Sequence, residues 1–566
     1  MIEIIKLNQY ITSSEIKYPM DVVTHFVEHF RLLIDESIKI RNWKRGEKYC
    51  SLLRLVKPLD ISDTLKWCKC LYHLSDYFAV IRITEPICAD TKSELCVTGL
   101  QLLVLRSESE FSIGEYNNCV DTSNVIIKNV TKMANSNFDP RHAFFLKQMK
   151  INALLIQARI YELNNINDKF IEINKNILLN EDPLNISAIK SVFSSQRLFI
   201  EDKFRLLEEW ERHITEKFKW IFYIVQFRVL CDQFTGINID FKGIAKLSNF
   251  NIKHISKIPF FISKMSFVRD LLYPIPFHDN SVNLYRESRV FDPSNCLNCE
   301  REIIMRTTST QNDIGSILTA TNILYEKIPL SPLSLFSMGC YYYKQSIYSK
   351  SAHLFRRVIE LEPGFYEAHL LLAHSFSLNN NHSQALLVYS FIQDQWRGSY
   401  YGSLYKGIEY LKSGEYEMAK LNIEKSLHQN FNNPVLLNEY GVLQFYRKQY
   451  KEAIAIFRKA LNSNVFKEAR NKDLLHLLRV NLSCSLIWSF LYCDGDQDIF
   501  FIDEVISLLQ DIISNKNVRI SNSLVKTLLA IAYQITGNEE KAMNKYLECL
   551  SLKNPINLDL LYLMCN

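Results

Sequence analysis

Apolar residues recur along this chain at the three- and four-residue spacings that line one face of a helix. Leu474, Leu475, Leu478, Leu482 and Leu486 form one such row, and Val22, Val23, Phe26 and Phe30 form another. Residues 43–80 read as a helix followed by a further helical hairpin. A longer period lies over this short one. Gly339, Ala373, Gly407 and Gly441 stand thirty-four residues apart. Twelve positions after each come Ser351, Ala385, Ala419 and Ala453, and four further on Phe355, Tyr389, Ile423 and Phe457. Small side chains let two helices approach closely, bulky ones fill the space between, and a proline such as Pro363 stops the second helix.

Small, small and bulky residues at those offsets within a thirty-four-residue period are the signature of the tetratricopeptide repeat (TPR). The predicted fold is all-α, a TPR superhelical solenoid of antiparallel helix hairpins. Its packing positions are Gly339, Tyr342, Phe355, Ala373, Ala385, Tyr389, Gly407, Ala419, Gly441, Ala453 and Phe457, with Ala530, Ala542 and Tyr546 in a last copy. Between them, 465–520 reads as a degenerate repeat, interrupted by a loop at 493–498 (CDGDQD). In the amino-terminal half, Ala158, Tyr161, Phe170 and Pro183 keep the offsets to within about a residue. The least regular stretch, 236–330, is broken by Pro259, Pro274, Pro276 and Pro293. Three parts are expected: an amino-terminal arm (1–235), irregular central repeats with an insertion (236–330) and a carboxy-terminal superhelix (331–566), about twelve repeats in all.

Composition agrees with a helical chain and narrows its partners. The 566 residues are 48% hydrophobic and 22% charged, with only 15 glycines and 14 prolines. Breakers this scarce suit helices better than a turn-rich β fold. A net charge of +5 without any Lys/Arg-rich block gives no footprint for nucleic acid. The first residues lack a basic stretch followed by an apolar core, so no signal peptide is expected. The uncharged run from Val480 to Cys493 is too short to span a bilayer. Fourteen cysteines without framework spacing are expected to act as small buried hydrophobes in a reducing compartment.

In a TPR hairpin the fifth and ninth residues of the first helix face the concave side. Here these are Phe336, Cys340, Leu370, His374, Leu404, Ile408, Asn438 and Val442. A groove for an acidic peptide tail needs Lys and Arg there, because carboxylates demand charge-assisted donors. This set has neither, so it favours an apolar peptide or amphipathic helix. The alternative is a tight superhelix that fills these positions itself.

Two motifs suggest metal chemistry. His25, Glu28 and His29 match H-x-x-E-H, whose histidines share one helix face as zinc requires. The competing reading is an amphipathic helix with Val22, Val23, Phe26 and Phe30 inward. Cys296 and Cys299 form a lone C-x-x-C without a second pair. No phosphate loop, dinucleotide fingerprint or G-x-S-x-G elbow occurs, so neither catalysis nor a cofactor is expected.

The run 331–345 (SPLSLFSMGCYYYKQ) resembles one family, subunit 6 of the anaphase-promoting complex, the ubiquitin ligase of the cell cycle. Similar stretches follow in order at 373–376 (AHSF), 405–420 (YKGIEYLKSGEYEMAK), 438–461 (NEYGVLQFYRKQYKEAIAIFRKAL) and 532–550 (AYQITGNEEKAMNKYLECL), and upstream at 70–79 and 182–193. The resemblance implies a non-catalytic scaffold of the nucleus and cytoplasm. It also implies a homodimer through the amino-terminal repeats and a carboxy-terminal superhelix that encloses a very small accessory subunit. Other TPR subunits would stack outside, with ubiquitin transfer left to cullin and RING subunits. No nucleic acid or membrane is implied. Another TPR subunit of the same complex, a peptide-clamp co-chaperone and an enzyme with attached repeats, its catalytic domain within 195–330, are the competing readings.

Overall fold

The computed structural model describes residues 20–89, 96–134, 140–194, 197–219, 314–429, 433–462, 472–492, 500–514 and 522–550, with a few positions between 221 and 229. Among these residues there are helices and no strand. The central stretch 230–313, the 493–498 loop, Cys296, Cys299 and the residues after 550 lie outside the described part. The chain divides into two compact units, Met1–Ala188 and Ile189–Asn566.

The first unit is a run of hairpins: α1 (Met20–Lys39) with α2 (Trp43–Val56), α3 (Ile61–His73) with α4 (Tyr77–Ala89), α5 (Val97–Ile113) with α6 (Tyr116–Ala134), and α7 (Pro140–Leu163) with α8 (Asn167–Asn176). Each helix packs on the next. Val27, Phe30, Ile34, Leu53, Trp67 and Val80 share one core, and Leu100, Leu103, Ile126 and Met149 another. Three carboxylates help staple these elements together. Arg31 grips the buried Asp63 with Nε and Nη2, the latter at 2.6 Å. The fully buried Glu110 accepts from Arg106 (2.6 Å) and Thr122 (2.8 Å), and Lys150 reaches Glu181 at 2.5 Å.

In the second unit, α9 (Ile200–Glu211) comes first, its Trp210 beside Phe193. Arg197 in the preceding turn lies over the Trp396 ring, 5.8 Å from its centre. After the central stretch, α10 (Ile314–Lys327) packs on α11 (Pro332–Lys344). The strict repeats follow as α11 with α12 (Tyr348–Leu361), α13 (Tyr366–Leu378) with α14 (His382–Gln395), α15 (Tyr401–Lys412) with α16 (Tyr416–Gln429), and α17 (Pro434–Tyr446) with α18 (Tyr450–Leu461). The degenerate repeat is α19 (Lys472–Tyr492) with α20 (Phe500–Ser514), and the last hairpin is α21 (Asn522–Ile535) with α22 (Glu539–Leu550).

Local chemistry starts and stops these helices. Ser331 and Asn433 cap α11 and α17, accepting from Ser334 N (3.1 Å) and Val435 N (2.9 Å), each with a proline at the first helical position. Every strict hairpin then turns through one left-handed residue. These are Ser346, Asn380, Gly414 and Lys448, again thirty-four apart. The amide after each bonds back across the helix end, as in Ile347 N to Tyr342 O and Gln449 N to Gln444 O. That six-to-one bond satisfies carbonyls the helix leaves unpaired.

Inside each hairpin small residues lie close under bulky ones. A Cβ on Gly339 would stand 2.6 Å from Phe355 Cε1, one on Gly407 2.6 Å from Ile423 Cγ1, and one on Gly441 2.6 Å from Phe457 Cε1. Ala373, Ala385, Ala419, Ala453 and Ala530 are fully buried, Ala542 and Tyr389 nearly so. Tyr342 and Tyr546 are only half-buried. Lys350 lies over the ring of Tyr342, and the Tyr546 hydroxyl donates to Gln534 Oε1 at 2.9 Å.

The α19 helix extends beyond the uncharged run: by length and composition its stretch Leu474–Tyr492 could cross a membrane. Its Leu478, Val480, Leu482, Leu486 and Ile487 are buried against neighbouring helices, which accounts for the apolar face. Of the described cysteines, Cys50, Cys68, Cys70, Cys119, Cys340 and Cys549 are buried, Cys484 is half-buried and Cys96 is exposed.

Candidate partner-binding groove

The first helices of the strict repeats, α11, α13, α15 and α17, place the eight expected groove residues at two depths. Phe336, Cys340, Leu404 and Asn438 are buried. The Phe336 ring is wedged between Phe355 (5.6 Å) and Phe365 (4.8 Å), so it seals the space between hairpins. Leu404 packs with Tyr400 and Leu436. Asn438 accepts from Asn481 Nδ2 at 2.8 Å and donates to Glu439 Oε1 at 3.0 Å. These four are held in the packing between helices, where a ligand could touch them only if the helices parted. Leu370, His374, Ile408 and Val442 keep part of their surface open.

What the open surface adds is a layer of tyrosines. Tyr405 stands edge-on to His374 at 4.3 Å and stacks near Tyr389 (5.7 Å) and Tyr401 (6.0 Å). Tyr343 and Tyr366 are half-buried with them, the Tyr366 hydroxyl 2.6 Å from Ser399 Oγ. Burial pushes the Tyr343 phenol up to about 12 and raises those of Tyr366 and Tyr405 further. Burial pushes His374 down to about 4, and its Nδ1 lies 2.7 Å from the Tyr389 hydroxyl. His369 is likewise held down to about 4 by burial, its Nε2 2.9 Å from Pro363 O. All these groups are therefore neutral near pH 7. These side chains offer aromatic faces and hydrogen bonds but no charge of their own at that pH.

Only positions five and nine of each helix were read from the sequence, so Tyr343, Tyr401 and Tyr405 were missed. The signal was present in the tyrosine-rich helix starts, for example Tyr400, Tyr401 and Tyr405. A second missed feature is a buried acidic node. Glu409 on α15 accepts from Ser377, from Lys412 Nζ at 2.8 Å, and pairs with His382 Nδ1 at 2.7 Å. Burial works to raise this carboxyl, but the hydrogen bonds from His382, Lys412 and Ser377 outweigh it and leave it below its usual range. The node ties α13, α14 and α15 together behind the tyrosines.

The first unit has its own concavity, about 940 Å³, between α2, α3 and α4. Trp67, Leu71 and Ile83 line it, the exposed Phe78 overhangs it, and Arg54 lies over the Trp67 ring at 5.3 Å. The H-x-x-E-H residues are elsewhere. His25, Glu28 and His29 are all exposed, and no cluster of three metal-binding side chains occurs among the described residues. The inward face of α1 is Val27, Phe30 and Ile34. Phe26, expected inside, is 37% exposed because the buried stripe falls one residue later.

No family model matches the chain. Curated relatives do. The chain is 28% identical over 144 residues to anaphase-promoting complex subunit 6 of Arabidopsis thaliana, a match covering 25% of this chain and 26% of that protein. To anaphase-promoting complex subunit cut9 of Schizosaccharomyces pombe it is 27% identical over 141 residues, 25% of this chain and 21% of the relative. To the human cell division cycle protein 16 homolog it is 27% identical over 153 residues, 26% and 24%.

The chain's sequence relatives are subunits of the anaphase-promoting complex.

The match spans about a quarter of the length of those relatives. The fold likeness reaches further. The crystal structure of the APC/C hetero-tetramer Cut9–Hcn1 aligns with 93% of this chain and 93% of its own, at a TM-score of 0.64 and 15% identity. The fold likeness thus covers 93% of the chain, where the sequence likeness to those relatives covers about a quarter.

Proposed function

We propose that this chain is a non-catalytic scaffold subunit of the anaphase-promoting complex, of the subunit 6 type, acting in the nucleus and cytoplasm in ubiquitin-dependent cell-cycle progression. The observation that carries it is the conjunction of a solenoid alignable over 93% of a Cut9 chain with local sequence likeness to subunit 6 proteins. Scaffolding fits the physics of the fold. Among the described residues each helix packs mainly on the next, as in repeat arrays that present extended binding surfaces. The aromatic concave face of the second unit suits a short segment of a small accessory subunit, held through apolar contact and tyrosine hydroxyls.

The first unit is the proposed homodimer contact. Leu32, Ile40, Leu55 and Phe78 are each more than 60% exposed there, and Phe78 lines the 940 Å³ concavity. Exposed apolar side chains of this size are candidates for burial in a two-fold contact. Affinity purification of the tagged chain from its own cells, followed by mass spectrometry, tests the assignment. Recovery of cullin, RING and other TPR subunits supports it, and a chaperone-dominated set of partners overturns it.

A further inference from the structure

The turn between α1 and α2 gathers five cations that have no counter-charge. Lys39 ends α1, Arg41 lies in the turn, and Lys44, Arg45 and Lys48 belong to the start of α2. All five are exposed. Along the sequence they are interrupted by Ile40, Asn42, Trp43 and Gly46, so no basic run exceeds two residues, and only the fold of the turn brings them together. Among the described residues none of the five has a carboxylate partner. Arg31, Lys57 and Lys66 of the same unit show the contrast, pairing with Asp63 (2.6 Å), Asp60 (3.8 Å) and Asp35 (2.6 Å). The one carboxylate inside the cluster, Glu47, is half-buried and lines the concavity. From Glu36 to Lys48 the surplus is three positive charges, where the whole chain carries +5.

The backbone under these charges is fixed. Arg41 holds a left-handed φ of 55°, Asn42 N bonds back to Ser37 O at 2.9 Å, and Asn42 caps α2 by accepting from Arg45 N at 3.2 Å. Arg45 Nε donates to the Tyr49 hydroxyl at 3.1 Å, with its guanidinium over that ring, and Trp43 stacks on His73 at 4.0 Å. Lys44 and Lys48 stand one helical turn apart, where like charges repel. An anionic segment that bridges these cations relieves the repulsion and orders little backbone that is not already ordered.

The surroundings select among anions. Single-stranded nucleic acid uses open ring faces for its bases, and here Arg45 covers Tyr49 and His73 covers Trp43. A duplex is tracked by cations spread along its phosphates, whereas these five lie between Lys39 and Lys48. A membrane surface asks for apolar insertion beside the charge, and Ile40 is the one large apolar side chain exposed among residues 39–48. A second copy meeting this turn at a two-fold axis would set like charge against like. A short acidic protein segment meets none of these objections, since its carboxylates accept charge-assisted hydrogen bonds from lysine and arginine.

We propose that the α1–α2 turn, through Lys39, Arg41, Lys44, Arg45 and Lys48, is a docking surface for a partner protein's segment rich in Asp and Glu. It belongs to the first unit and is independent of the tyrosine layer described above.

The test uses the full chain and two fluorescein-labelled peptides of equal length, read by fluorescence anisotropy at low salt. One alternates glutamate and glycine, and the other has glutamine for glutamate. A labelled DNA duplex and phosphatidylserine vesicles are the competing anions. The glutamate peptide should bind about tenfold tighter than the glutamine peptide. The variant Lys39→Gln/Lys44→Gln/Lys48→Gln should remove that preference, and a control with Lys425→Gln/Lys451→Gln/Lys459→Gln should keep it. Equal binding of the two peptides by the unsubstituted chain overturns the proposal, as does a preference that survives in the first variant or is lost in the control. Tighter binding of DNA or vesicles than of the glutamate peptide, abolished in the first variant, gives the turn to that class of partner and equally overturns it. If the triple variant does not fold, Lys44→Gln/Lys48→Gln takes its place with the same readings.

Discussion

Gly441 lies so close under the ring of Phe457 that a single added Cβ would stand 2.6 Å from Cε1 and 2.7 Å from Cζ. The same contact joins Gly339 to Phe355 one hundred and two residues earlier, where the distance to Cε1 is again 2.6 Å. Ring and glycine are the joint that fixes how α17 and α18 cross. Gly441→Ala is therefore expected to cost about 1–3 kcal/mol through overpacking. Gly441→Ala with Phe457→Leu should recover part of that loss, because the smaller side chain vacates the space. Denaturant midpoints of the two variants check this; additive losses would place the strain elsewhere.

Lys448 turns the same hairpin at a φ of 62°, where its counterpart Gly414 has 79°. An L side chain in this conformation costs about 1–2 kcal/mol that glycine does not. Lys448→Gly should raise the melting temperature and Gly414→Ala should lower it. Opposite signs are the diagnostic, since both changes involve exposed turn residues without tertiary contacts to lose.

Acid should loosen the second unit in a predictable direction. His369 and His374 sit near 4 in the fold against 6.5 for a free histidine. The unfolded chain then takes up protons that the folded chain refuses, so stability falls as pH drops from 6.5 toward 4. Glu409 is held below its usual range, so its contribution is present above about 4.5 and disappears as pH falls through its folded value. Melting temperatures from pH 7.5 to 4.5 should fall, and the double variant His369→Gln/His374→Gln should show a shallower slope over that window.

Core and groove can be told apart by substitution. Phe336→Ala empties a fully buried site between Phe355 and Phe365 and should cost about 3–5 kcal/mol in stability. Leu370→Ala removes a half-exposed side chain, so its stability loss should be smaller and its effect on partner recovery larger. Paired thermal melts and co-purification yields measure both.

For the first unit, Phe78→Glu puts a charge on a 64% exposed ring beside the concavity. Light scattering of the full chain should show the mass fall from dimer to monomer, with the helical content unchanged.

The thirty-four-residue ladder was legible because its small residues are constrained by contact geometry: Gly339, Gly407 and Gly441 each face a bulky residue sixteen positions later. The turns were not legible. Ser346, Asn380, Gly414 and Lys448 share one backbone conformation but no common side-chain chemistry, so only the dihedral angles reveal their period. The groove was half legible. Position numbering put Phe336 and Asn438 on the concave side, but how deep a helix sinks against its neighbours depends on crossing geometry that no single repeat encodes.

The most direct measurement is immunodepletion through a tag on this chain, followed by a cyclin ubiquitination assay on mitotic extract of the same organism. The account predicts that depletion removes the ubiquitin-ligase activity, that the eluted assembly restores it, and that the purified chain alone has none. Full activity remaining in the depleted extract would contradict it.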